Sequence, residues 1–135
     1  MFPSDPCGSV RGSRSCDLYA CTHTFTGMTL DEFQDAAERT TNPKLTGTEK
    51  LLDAAAGLAE EAGEILGVVR KHAYQSRELD REKLKIELGD ALWCLAMTAT
   101  SAGLTLDDVA AANVAKLSAR YPQGYSDAAS RERRA

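Results

Sequence analysis

The stretch "GLAEEAGEIL", residues 57 to 66, carries Glu60, Glu61 and Glu64 within little more than one helical turn. Glu60 and Glu64 stand at the i, i+4 spacing where like charges repel and weaken a helix. Further along, "ELGDALW" supplies a second acidic pair, Glu87 and Asp90. Glu61 with Glu64, and Glu87 with Asp90, are i, i+3 pairs, so both members of a pair lie on one side of a helix, one turn apart. The residue numbers 61 and 90 add to 151, and so do 64 and 87. An antiparallel helical hairpin turning about residues 75 and 76 would therefore bring four carboxylates to one height, about 16–22 Å from the turn.

Four carboxylates at close quarters are strongly unfavourable unless a positive charge sits among them. None of the four has Lys or Arg four residues later; those positions hold Ile65, Val68, Ala91 and Cys94. An all-oxygen donor set suits a hard divalent ion, Mg²⁺ or Mn²⁺. The competing reading is a set of solvated surface acids, common on any helix, but the register of two pairs about one turn favours a cation site. A di-iron carboxylate bundle would need Glu-x-x-His pairs. The two histidines, His23 and His72, are instead preceded at that spacing by Ala20 and Val69.

A basic stretch complements the acids. "NVAKLSARYPQGY" places Asn113, Lys116 and Arg120 on one helical face, where Lys and Arg can bind phosphate oxygens, Arg bidentately. The alternative is a helix C-terminus decorated to suit its dipole. Lys71 is a further candidate phosphate contact, near the end of the helix that carries Glu60, Glu61 and Glu64. Tyr121 and Trp93 could stack on a base, although core packing is the favoured reading of Trp93.

Four helices must position these groups. Thr29 and Glu32 have capping-box spacing and start a helix running to about Thr41. A second helix is expected from Thr48 as N-cap to about Lys71 or His72. Its apolar positions Leu51, Ala55, Leu58, Ala62, Ile65 and Val69 step by 4-3-4-3-4, the signature of a packed face. On the same wheel Glu61 flanks that stripe, while Glu60, Glu64, Gly57 and Gly67 lie further round, facing a possible cleft. The third helix spans about Asp80 to Ala102, with Leu84, Leu88, Ala91, Leu95, Thr98 and Ala102 as its stripe. "GLT", residues 103 to 105, ends it and caps a fourth from Leu106 to about Tyr121. Short links make consecutive helices antiparallel neighbours in an all-α bundle.

The bulk properties agree with one soluble domain. The chain has 135 residues, 43% hydrophobic and 27% charged, with a net charge of −4. That acidity disfavours nucleic acid as a partner. The longest largely apolar run, residues 91 to 104, is too short and too rich in Thr and Ser for a membrane span. Without the apolar core of a secretory signal, the expected location is the cytoplasm. Cys7, Cys16, Cys21 and Cys94 show no metal-binding spacing, and Cys94 reads as a buried free thiol. Residues 1–27 lack a hydrophobic period and read as a flexible extension that the fold does not need, residues 28–125 as the domain, and residues 126–135 as a frayed tail.

"EEAGE", then 22 residues, then "ELGD" resembles the EExxE…ExxD signature of the MazG-like all-α nucleoside triphosphate pyrophosphohydrolases. The likeness continues through "ANVAKLSARYPQGY" and covers roughly residues 29 to 125. The resemblance implies a four-helix bundle with an antiparallel central hairpin, completed by dimer or tetramer formation. It implies Mg²⁺-dependent hydrolysis of (deoxy)nucleoside triphosphates to the monophosphate and pyrophosphate, by water attack at the α-phosphorus, in nucleotide-pool housecleaning. Carried over by position, Glu61, Glu64, Glu87 and Asp90 would hold metal, Glu60 would be the general base, and Asn113, Lys116, Arg120 and Tyr121 would contact phosphate. The alternative from another class is a non-catalytic helical oligomerisation module with a structural cation.

Overall fold

The computed structural model describes residues 27–131, and the fold they form is all-α. Five helices follow one another: α1 (Leu30–Glu38), α2 (Gly47–Gln75), α3 (Arg81–Ser101), α4 (Leu106–Arg120) and the short α5 (Asp127–Arg131). The expected extension lies outside the described residues apart from Gly27, and so do Cys7, Cys16 and Cys21. α5 replaces part of the expected frayed tail; residues 132–135 lie outside the description.

Local chemistry explains the helix ends. Thr29 and Glu32 form the anticipated capping box, with Thr29 N–H donating to the Glu32 carboxylate at 2.8 Å. A second capping box, between Thr46 and Glu49, starts α2 two residues before the expected cap at Thr48. Both pairs share the x-x-Glu spacing, and Thr46 wins because only it has an acid three residues on. α2 also runs three to four residues past its expected end, closing at Ser76 in the left-handed region (φ 51°). Gly103 (φ +71°) ends α3, and Thr105 caps α4 by accepting from Asp108 N–H at 3.1 Å.

α2 and α3 form the central antiparallel hairpin and share the most extensive interface in the fold. The 4-3 periodicity of both helices holds, but the phase of the packed rows is shifted. On α2 the row turned toward the interior is Leu51, Ala54, Leu58, Glu61, Ile65 and Val68, whereas Ala55, Ala62 and Val69 are exposed. On α3 the inward row is Leu84, Glu87, Ala91, Cys94 and Thr98, and Leu88 and Leu95 face outward. Two adjacent apolar rows compete on each helix, and a row of alanines and leucines does not announce which side meets its neighbour. The consequence for chemistry is direct: Glu61 and Glu87 are members of the packed rows.

α1 packs across α3 and the start of α4, over a core of Ala37, Ala54, Ala96, Met97, Ala99 and Leu106, with Phe33 and Trp93 against it. Gln34 joins these parts from a buried position. Its Nε2 donates to Thr100 Oγ1 at 2.8 Å and to the Leu104 carbonyl at 2.9 Å, and its Oε1 accepts from Leu106 N–H at 2.6 Å.

Candidate active site

The hairpin adopts the register of the Glu61–Asp90 pairing. Gly57 of α2 lies against Cys94 of α3, and one turn along, Glu61 meets Asp90. In that register Arg81 is level with Arg70, so the last five residues of α2 overshoot the start of α3 and residues 76–80 return the chain. His72 Nδ1 lies 2.7 Å from the Arg77 carbonyl and pins that return.

Carboxylate oxygens of Glu61, Glu87 and Asp90 all lie within 4.8 Å of one another. Glu61 is half-buried, Glu87 buried and Asp90 exposed, so the trio runs from the helix interface out to solvent. Burial, then the charges of Asp90, Glu87, Glu60 and Glu64, push the Glu61 carboxyl above its ordinary value. Burial leads that shift, and the four neighbouring acids add to it in the same direction. Glu64 is exposed and outside the 4.8 Å trio, so three of the four expected carboxylates converge.

One compensating cation is present that a search four residues downstream misses. Lys83 lies four residues before Glu87, and its Nζ stands 2.9 Å from Glu87 Oε1. The hydrogen bond and charge of Glu87, then Glu64, hold the Lys83 ammonium above its ordinary value. The pair occupies one oxygen of Glu87; Glu61 and Asp90 have no ion pair among the described residues.

Beside the trio opens a cleft of about 370 Å³, walled by Glu60, Glu61 and Asp90 with Asp53, Gly57, Trp93 and Cys94. Glu60 thus faces the same cleft as two of the converging carboxylates. Asp53 was not anticipated, although it precedes Glu60 by two helical turns and shares its side of α2. Trp93 has both anticipated roles open to it: it packs on the core, donates Nε1–H to Thr40 Oγ1 at 2.7 Å, and also lines the cleft.

The profile of the MazG nucleotide pyrophosphohydrolase domain matches residues 49–125, more than half of the chain. The chain belongs to that family. No curated protein matches it, and no solved structure does. All five acidic candidates and the α4 candidates fall inside the matched span of this MazG domain; α1 precedes it.

The basic candidates of the MazG domain are spread over other surfaces. Asn113 and Lys116 line a separate apolar groove of about 590 Å³, with Leu92, Leu95, Leu106 and Val109. Arg120 lies over the Tyr121 ring, 5.9 Å from its centroid, and Tyr121 in turn packs against Tyr125 with ring centroids 5.7 Å apart and planes tilted by 37°. Lys71 lines a cavity of about 220 Å³ with Arg77 and Lys83, at the hairpin end beyond Glu87. Within one chain, therefore, neither Asn113 nor Lys116 shares the acidic cleft. No helix among the described residues is long and apolar enough to cross a membrane.

Proposed function

We propose that the protein is a Mg²⁺- or Mn²⁺-dependent pyrophosphohydrolase that cleaves a nucleoside triphosphate, ribo- or deoxy-, to the monophosphate and pyrophosphate. The convergence of Glu61, Glu87 and Asp90 beside a cleft, inside a MazG domain, carries this reading. Three hard oxygen donors from two helices fit a divalent ion, with Glu64 one turn from Glu61 as the fourth ligand. When bound, such an ion neutralises the triphosphate and stabilises charge developing on the phosphates.

The chain's own residues supply the rest. Glu60 is adjacent in sequence to a proposed ligand and faces the cleft, so it holds the attacking water and accepts its proton as that water adds to the α-phosphorus and the α–β phosphoanhydride bond breaks, releasing pyrophosphate. The cleft walls around Trp93 exclude solvent from one side of the substrate. Lys71 lies on the side of Glu87 away from the cleft, where it can meet an extended phosphate tail.

Asn113, Lys116, Arg120 and Tyr121 act on phosphate in this reading when a second subunit brings α4 to the cleft. Exposed apolar side chains on α2, α3 and α4, among them Leu52, Leu66, Ile86, Leu88 and Val114, support a homodimer or homotetramer. We assign such an enzyme to nucleotide-pool housecleaning in the cytoplasm.

Incubation with Mg²⁺ and a panel of canonical and damaged (d)NTPs tests the proposal. Pyrophosphate with NMP is the expected product pair; orthophosphate with NDP contradicts attack at the α-phosphorus. No turnover across the panel favours a non-catalytic oligomerisation module with a structural cation.

A further inference from the structure

α2 contains four glycines, Gly47, Gly57, Gly63 and Gly67, and a glycine inside a helix is a poor helix former. None of the four has the positive φ that would demand glycine. A β-carbon added at Gly47, Gly63 or Gly67 would meet open space. At Gly57 it would stand 2.9 Å from the Cys94 sulfur, well inside the separation at which non-bonded heavy atoms attract. Cys94 is buried, with 5% of its surface exposed, and its single χ1 torsion leaves it few alternative positions in a helix.

Gly57 and Cys94 are also one helical turn from the site. Glu61 follows Gly57 by four residues, and Asp90 precedes Cys94 by four, so the two pairs are successive rungs of one antiparallel ladder. The spacing allowed at the first rung sets the spacing available at the second.

We propose that Gly57 is a positioning residue whose missing side chain lets α2 approach α3 at Cys94, so that Glu61 can reach Glu87 and Asp90. The inference rests on the reading of that trio as a cation site. Substituting Gly57→Ala forces either the helices or the Cys94 side chain to move, and helix separation at this rung draws Glu61 away from the two acids of α3. Trimming the partner, Cys94→Ala, removes the obstructing atom and restores room for the alanine.

Calorimetric titration of the full chain with Mn²⁺ alone tests this without reference to turnover. The wild type must bind Mn²⁺; if it does not, the cation-site reading itself fails. Gly57→Ala is expected to weaken Mn²⁺ binding by about 10–100-fold, the range seen when supporting contacts of metal ligands are lost. Cys94→Ala and Gly67→Ala should bind like wild type, and the double variant Gly57→Ala/Cys94→Ala should recover wild-type affinity. Wild-type affinity in Gly57→Ala, or weak affinity in Cys94→Ala, overturns the proposal. If Gly57→Ala alone does not fold, the double variant decides: folding with wild-type affinity upholds the positioning role, whereas failure to fold or to bind overturns it.

Discussion

Lys83 Nζ lies 2.9 Å from Glu87 Oε1, which sets a half-exposed ammonium against the most buried carboxylate of the acidic trio. The two residues are one turn apart on α3, so the helix builds the pair before any tertiary contact forms. Lys83 thus already neutralises part of the charge that the proposed divalent cation would meet. Replacing it with the uncharged Lys83→Met should lower metal-free stability slightly, as loss of a partly exposed ion pair does. The same variant should bind Mg²⁺ more tightly, because an oxygen of Glu87 is released from competition. Thermal melts in chelator, paired with Mg²⁺ titration, check both signs; weaker Mg²⁺ binding would show that Lys83 orients Glu87 rather than competes for it.

Glu61 makes metal-free stability depend on pH in an unusual direction. Burial and four neighbouring acids raise its carboxyl above the ordinary 4.5 when folded. Between that value and the folded one, the native state holds more proton than the unfolded state, so stability falls as pH rises through the window. Glu32 and Glu49, lowered by their capping-box bonds from Thr29 and Thr46, act the opposite way and below 4.5. Melting curves in chelator should therefore show Glu61→Gln more stable than wild type at neutral pH, with the difference shrinking as pH falls toward 4.5. A constant difference across that range would remove the electrostatic explanation.

The fold and the site were legible to different depths. Period, the caps of α1 and α4 and the Glu61–Asp90 register were readable because helix geometry repeats and acids at i, i+3 share a side. Phase was only half readable: Leu51, Leu58, Ile65, Leu84, Ala91 and Thr98 lie in the packed rows as expected, but Val69 and Leu88 are exposed, while Glu61 and Glu87 occupy those rows. Hydrophobicity ranks residues by transfer preference, yet a charge can take an inward position when its neighbours make use of it. Lys83 was hidden because an i, i+4 partner can lie on either side of an acid in sequence. The separation of Lys116 from the acidic cleft depends on how α4 crosses α1 and α3, which no local spacing encodes.

Gln34 offers a control that loads the fold and leaves the site alone. It satisfies Thr100, the Leu104 carbonyl and the Leu106 N–H from one buried amide. Gln34→Ala strands the backbone groups at the α3–α4 junction, at a cost of about 1–3 kcal/mol. The melting temperature should drop while Mn²⁺ affinity of the folded protein holds. A matching loss of affinity would mean that α1 and α4 help hold the carboxylates in place.

Glu60 and Asp90 face one cleft, but only Asp90 belongs to the converging trio, and the proposed function accordingly makes Asp90 a ligand and Glu60 the base. Asp90→Asn removes an anionic oxygen from the trio, so metal affinity and turnover should fall together. Glu60→Gln keeps the trio intact and removes only the group that takes a proton from water. Turnover should fall by about 10²–10⁴-fold, the usual contribution of a positioned base. Calorimetry should find Mg²⁺ binding by Glu60→Gln close to wild type. If Mg²⁺ binding vanished in that variant, Glu60 would be a ligand and the proton would have to leave the water by way of another residue, with Asp53 the remaining carboxylate on the cleft wall.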